Sequence, residues 1–144
     1  MIGGKNMEIK VFDFLPKDAL DLRITVFVNE QGFVDEVDEA DSYSTHLVMY
    51  DGEKPIATCR FFLKEDNETY MFGRLCVLKE YRGKSLGREM LKKVEEIVKE
   101  RGGKAIILHS QYHAKDFYVR CGFSQQGEID YEQKVPHAWM RKEI

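Results

Sequence analysis

The stretch from Arg74 to Met90 constrains the fold of this chain more than any other part of the sequence. Apolar residues at 75–78 predict a short buried strand, and the polar, glycine-containing residues 82–87 predict a turn that opens onto an amphipathic helix. A helix start presents main-chain N–H groups without an intrahelical acceptor, and the helix dipole adds partial positive charge. Three cations lie in the same turn, at Arg82, Lys84 and Arg88. The pattern therefore predicts an anion site, with phosphate as its natural ligand.

Two other interpretations of this turn follow from the residues alone. Gly83-Lys84-Ser85 resembles the end of a P-loop, but that motif requires a glycine where this chain has Leu78. A nucleotide triphosphatase is thus disfavoured. The simpler alternative is an ordinary solvated helix start that carries basic residues.

Size and composition predict one domain spanning residues 1–144. The chain is 43% hydrophobic and 33% charged, and no apolar run reaches the length of a membrane span. A formal charge of −3 without a broad basic surface argues against nucleic acid as a partner. The first residues lack an apolar signal core, and the three scattered cysteines lack metal-binding spacing. We therefore expect a cytoplasmic protein with no membrane partner and no metal.

The hydrophobic periodicity predicts an α+β fold in which a mixed, mainly antiparallel sheet of six to seven strands is flanked by about four helices. Predicted strands cover residues 9–14, 46–50, 55–63, 70–78, 105–110, 123–129 and 137–142. Predicted helices cover residues 16–31, 86–101 and 112–120, with a short helix or loop at 33–44. A right-handed crossover would set strand 105–110 parallel to strand 70–78. A loop containing Pro136 separates the last two strands, and an exposed final strand would either pair with a second subunit as a homodimer or meet solvent.

The segment at residues 33–44 combines apolar residues with five carboxylates between Asp35 and Asp41. Phe33, Val34 and Val37 are expected to anchor it. The carboxylates would attract a cationic amine, or they are simply a solvated face.

Two motifs resemble those of the GNAT superfamily of acyl-CoA N-acyltransferases. Arg82 and Gly87 fit the pyrophosphate loop Gln/Arg-x-x-Gly-x-Gly/Ala, although Ser85 stands where the family usually has its first glycine. Residues 114–123 resemble the second family motif, Ala-x-x-Phe-Tyr-x-x-x-Gly-Phe, about thirty residues downstream. The predicted order of elements is similar to the GNAT fold over nearly the whole chain. Residues 26–32 and the run Pro136-His137-x-x-Met140 further resemble small single-domain bacterial members of the ElaA-like type.

The resemblance implies an acetyl-CoA-dependent N-acetyltransferase that transfers the acetyl group directly to an amine of a small molecule or peptide. It implies that the backbone of Leu75, Cys76 and Val77 meets the pantetheine arm beside a bulge, with the Val77 N–H polarising the thioester carbonyl. The pyrophosphate would bind Arg82, Gly83, Lys84, Ser85, Leu86, Gly87 and Arg88. Phe117 and Arg120, beside Tyr118, would line the far side of the coenzyme. The alternative is a CoA-binding regulatory module without catalysis.

Tyr118 is the predicted general acid, because a phenol can protonate the thiolate that amine attack releases. The competing interpretation is a core tyrosine with a satisfied hydroxyl. An aliphatic amine is almost fully protonated near neutral pH, so a base is also expected, and Glu36, His109 and His46 are the candidates. Water is the alternative proton carrier. Each cysteine is interpreted as a small buried apolar residue rather than a nucleophile.

Overall fold

A computed structural model describes residues 7–34 and 37–144 of the protein. These residues form two compact units, of which the first contains residues 7–62 and 74–94 and the second contains residues 63–73 and 95–144. Within the described ranges, no helix combines the length and the apolar character needed to cross a membrane.

Seven strands form one sheet in the order β1-β2-β3-β4-β5-β7-β6. They are β1 (Met7–Phe12), β2 (Thr45–Asp51), β3 (Lys54–Leu63), β4 (Thr69–Val77), β5 (Ala105–Gln111), β6 (Ser124–Glu132) and β7 (Val135–Glu143). β4 and β5 run parallel, whereas the β1–β2, β2–β3, β5–β7 and β6–β7 pairs are antiparallel. The predicted α+β class and the parallel crossover are confirmed.

In the part of the chain that the structure describes, three α-helices accompany the sheet: α1 (Lys17–Arg23), α2 (Leu86–Glu100) and α3 (Lys115–Arg120). The predicted first helix, residues 16–31, is α-helical only as far as Arg23 and continues as a π-helical segment, Ile24–Glu30. There the Gln31 N–H donates to the Val26 carbonyl, 3.1 Å away and five residues back. Several β-branched residues in this segment weaken α-helical geometry. The predicted apolar face is nevertheless buried, at Ala19, Leu22 and Val26.

α2 was predicted closely, because its apolar residues recur at helical spacing. Leu86, Met90, Leu91, Val94, Ile97 and Val98 are all buried. Gly102 ends the helix with φ +83°, where a glycine is favoured. Gly103 is required for a different reason: a Cβ there would lie 2.4 Å from Val98 Cγ1 and 2.9 Å from the ring of Tyr70.

The segment at residues 33–44 is anchored differently from the prediction. Val34 and Val37 are exposed, and a short 3₁₀ turn, Glu39–Ser42, carries the buried residues. Asp41 is 2% exposed and accepts hydrogen bonds from the guanidinium groups of Arg23 and Arg60, at 2.8–3.1 Å. Charge pairing fixes this segment, because a buried carboxylate is stable only when it is paired.

The final hairpin corrects two predictions. Pro136 was predicted to lie in a loop, but it lies within β7 opposite Tyr131. The missing N–H of proline costs little there, because β7 pairs with β5 only from His137 onward. β7 is an inner strand and β6 is the edge strand. The connecting turn has positive φ at Gln133 and Lys134, 49° and 66°, as a two-residue hairpin turn requires.

Candidate active site

The 82–88 loop of the first unit has the backbone of an anion site. Gly83 and Ser85 both have left-handed φ angles, 79° and 62°. The Ser85 carbonyl accepts the first helical hydrogen bond, from the Glu89 N–H at 3.1 Å. The N–H groups of residues 86–88 therefore lie in the first helical turn, where the helix supplies no acceptor. Ser85 adopts the conformation that glycine favours, which explains why a glycine is usual at this position.

Arg82 is held by contacts within the first unit. Its guanidinium forms a bidentate ion pair with the carboxylate of Glu30, at 2.6 and 2.8 Å, and its Nε–H donates to the Val77 carbonyl at 2.9 Å. The hydrogen bond from Arg82 lowers the pKa of Glu30. Arg82 thus ties the end of β4 to the end of the π-helical segment, and its side chain is 39% exposed.

The other two cations of the loop, Lys84 and Arg88, are exposed like Arg82. Lys84 Nζ lies 5.4 Å from the ring centre of Tyr81, and the Tyr81 hydroxyl donates to Asp51 at 2.7 Å. Arg88 projects from the first turn of α2 and is exposed. Exposed cations beside a helix start are available to an anionic ligand.

β4 contains an irregularity just before the residues predicted to meet pantetheine. Arg74 has φ +56°, which is unusual for a residue with a side chain. Leu75, Cys76 and Val77 follow as the last residues of β4. The sulfur of Cys76 is buried in the apolar core of the first unit. The left-handed residue lies where the resemblance predicts a bulge.

All three cysteines are free and buried. Burial raises the pKa of the Cys59 thiol. This bears out the interpretation of the cysteines as small apolar residues.

Tyr118 lies on α3 in the second unit with its ring packed among aromatic residues. The rings of Phe72, Phe117 and Phe123 have their centres 6.4, 5.0 and 5.9 Å from that of Tyr118, all in edge-on geometry. The side chain is 8% exposed. Arg120, from the same helix, is exposed. Aromatic packing fixes the direction of the phenol whatever its role.

The three candidate bases differ in their surroundings. Glu36 lies outside the described residues. His46 is 1% exposed, its Nε2 is 3.0 Å from the Asp41 carbonyl, and burial lowers its pKa. His109 lies on β5, with Nε2 2.7 Å from Asp130 Oδ1. An ionised carboxylate can only accept, so Asp130 takes the Nε2–H of His109, and in the neutral ring Nδ1 then has the lone pair. The hydrogen bond from His109 lowers the pKa of Asp130.

The sequence did not predict the acidic partners of Arg82 and His109. Glu30 and Asp130 pair with predicted site residues from 52 and 21 positions away. Glu30 lies within the run 26–32 that resembles ElaA-like proteins, and that resemblance was its only signal. Nothing in the local pattern marked Asp130.

Comparison with known proteins identifies the class. Residues 13–123 match the acetyltransferase (GNAT) family, and the chain belongs to that family. The uncharacterized N-acetyltransferase YjcF of Bacillus subtilis is 35% identical over 130 residues, which cover 88% of this chain and 91% of YjcF. The crystal structure of Escherichia coli ElaA matches with a TM-score of 0.84 and 26% identity, over 94% of this chain and 99% of ElaA. The protein is therefore an ElaA-like member of the GNAT superfamily.

A more distant likeness concerns the fold alone. A Bacillus subtilis acetyltransferase crystallised with CoA matches with a TM-score of 0.74 at 15% identity, over 96% of this chain and 99% of that one.

Proposed function

We propose that this protein transfers an acetyl group from acetyl-CoA directly to an amine of a small molecule or peptide. The observation that carries the proposal is the 82–88 loop, which combines left-handed residues, the start of α2 and exposed cations in a chain of the GNAT family. A fold neighbour that was crystallised with CoA supports the choice of coenzyme. The proposal treats residues 1–144 as one catalytic domain in the cytoplasm, active alone or as a homodimer.

Each part of acetyl-CoA has a proposed partner. The pyrophosphate binds the main-chain N–H groups of residues 83–88, with Lys84 and Arg88 supplying charge. Arg82 contributes by fixing the carbonyl of Val77 and hence the end of β4, against which the pantetheine arm lies as an added strand. In this proposal the Val77 N–H polarises the thioester carbonyl, and Phe117 and Arg120 contact the coenzyme.

The chemical step requires an acid and a base. The amine nitrogen attacks the thioester carbon, the carbon–sulfur bond breaks, and the Tyr118 hydroxyl gives its proton to the departing thiolate. His109 removes the proton of the amine through Nδ1 while Asp130 holds the opposite side of the ring. Glu36 is the alternative base.

Two of the five carboxylates that were predicted to attract a cationic amine already have partners. Asp38 and Asp41 were predicted to attract a cationic amine, but the arginines of their own unit neutralise both carboxylates. The acceptor is therefore left as an amine without an assigned charge.

Calorimetric titration with acetyl-CoA, CoA and ATP tests the coenzyme, and thiol release with a panel of amines tests the transfer. We expect binding of both coenzyme forms, no binding of ATP, and thiol release that depends on the amine. Binding without thiol release on any amine would favour the regulatory module, and absence of coenzyme binding would contradict the whole proposal.

Tyr118→Phe tests the acid, because it removes the hydroxyl and keeps the packed ring. We expect kcat to fall about 10²-fold or more with the dissociation constant of acetyl-CoA unchanged. Tyr131→Phe is the matched control, since Tyr131 is 71% exposed on β6. Full turnover by the Tyr118 variant would remove Tyr118 from the mechanism.

A further inference from the structure

We propose that the second unit binds a divalent transition-metal ion between His109, Glu132 and His137. One ligand atom from each residue lies within 4.8 Å of the other two. Bonds of about 2.0–2.2 Å place neighbouring ligands of a tetrahedral zinc ion about 3.4 Å apart. Glu132 can close the remaining distance, because its side chain is 58% exposed and therefore free to change rotamer. The sequence predicted no metal.

The register of three adjacent strands brings these side chains to one face of the sheet. His109 of β5 lies opposite Trp139 of β7, and His137 lies two residues before Trp139. Asp130 of β6 lies opposite His137, and Glu132 follows two residues later. Residues that face each other across antiparallel strands share a face, as do residues two apart along one strand. The candidate ligands therefore come from β5, β6 and β7 together.

The hydrogen bond from His137 to the main chain determines which of its ring nitrogens carries the hydrogen. Its Nδ1 lies 2.9 Å from the Val135 carbonyl, which can only accept, so Nδ1 carries the hydrogen. In the neutral ring, Nε2 then has the lone pair, and it lies 3.5 Å from a carboxylate oxygen of Glu132. A cation placed between this lone pair and the carboxylate would be attracted by both. His137 is 3% exposed.

A hydrogen bond also orients the ring of His109. It donates Nε2–H to Asp130 at 2.7 Å, and its ring stacks on Trp139 with a centroid distance of 4.5 Å. The His109 and His137 rings lie 4.7 Å apart. Metal-binding histidines usually donate their second N–H to a carboxylate or a main-chain carbonyl, and these two histidines use one of each. Two imidazoles and a carboxylate suit zinc and similar ions, with solvent completing the coordination.

Zinc chloride is the probe for this site. The full-length protein is stripped with EDTA, exchanged into a buffer that does not chelate metals, and titrated calorimetrically; cobalt substitution then reports the ligands by visible absorption. We expect one zinc per chain and a cobalt spectrum typical of nitrogen and oxygen ligands. Glu132→Gln should weaken zinc binding about tenfold or more, whereas the matched control Glu128→Gln, on the same strand, should not.

Histidine variants give the second comparison. His137→Gln should lower zinc affinity about tenfold or more, and His113→Gln, which changes a histidine outside the cluster, should leave it unchanged. Absence of zinc binding by the stripped wild type, or binding that Glu132→Gln and His137→Gln both leave intact, would overturn the proposal.

The zinc experiment is independent of acetyl transfer, because its readouts are heat and absorbance. The two proposals meet only at His109, whose Nδ1 cannot accept a proton while it binds a metal. If zinc binds the cluster and His109 is the base, zinc should lower the transfer rate. If zinc binds and the rate is unchanged, the site stands and the assignment of His109 as base is wrong.

Discussion

Ser85 is the residue at which this chain departs from the pyrophosphate-loop pattern, and its backbone is left-handed. Its φ of 62° lies in the region that glycine adopts freely and other residues adopt at a cost. The hydroxyl adds a donor next to the start of α2. The departure in sequence therefore carries a local backbone strain.

Replacing Ser85 by glycine should release this strain. We expect Ser85→Gly to raise the free energy of unfolding by about 1 kcal/mol, measured by urea denaturation. Ser124→Gly is the matched control, and because Ser124 lies in the extended strand β6 we expect it to lower stability by about 0.5–1 kcal/mol. A destabilised Ser85→Gly would mean that the hydroxyl contributes more than the backbone strain costs.

Among the structural elements, the 3₁₀ turn Glu39–Ser42 shows how charge can fix a segment whose valines, Val34 and Val37, are exposed. Arg23 of α1 and Arg60 of β3 both donate to Asp41, and Arg60 also pairs with Asp38 at 2.6 Å. Burial alone would raise the pKa of Asp41, but the hydrogen bonds from Arg23 and Arg60 outweigh it and hold the pKa well below its usual range. One carboxylate thus connects a helix, a strand and a turn.

Asp41→Asn should be severely destabilising, because it leaves two buried guanidinium groups without their shared charge. We expect a loss of about 3–5 kcal/mol of unfolding free energy. Glu39→Gln, in the same turn but exposed, should change stability by less than about 0.5 kcal/mol. Equal stability of the two variants would show that the arginines find other acceptors.

For the whole molecule, the paired carboxylates make stability depend on pH. The hydrogen bonds from Arg60 lower the pKa of Asp38, and those from the Thr69 hydroxyl and main chain lower the pKa of Asp66 to about 2. A pKa that is lower in the folded state favours folding above the unfolded value of 3.8, and this contribution is lost as the pH falls toward the folded value.

We therefore expect the free energy of unfolding to fall steadily as the pH is lowered from about 5 to 2. Urea denaturation at a series of pH values measures the slope. Asp41→Asn should flatten it, because the variant has already lost the largest of these carboxylate contributions. A stability that does not change over this range would contradict the assigned ion pairs.

The sequence by itself determined the elements and the family. Period-two and helical patterns predicted an α+β fold with six to seven strands, and the structure has seven in its described residues. The buried face of α2 followed from its spacing, because local periodicity records which side of an element meets the core. The loop at residues 82–88 and the motif at residues 114–123 could be recognised from the sequence because each is contiguous in the chain. Their roles with acetyl-CoA stay predictions.

Only the tertiary structure decided which charged side chains pair with each other and which side chains lie close together. Arg82 pairs with Glu30, and Asp41 is buried between Arg23 and Arg60, because folding joins residues whose separation in the chain carries no pattern. The same holds for His109, Glu132 and His137, which three adjacent strands bring to one face. Local sequence encodes the period of an element, whereas side-chain pairing depends on strand order and register, which the whole chain sets.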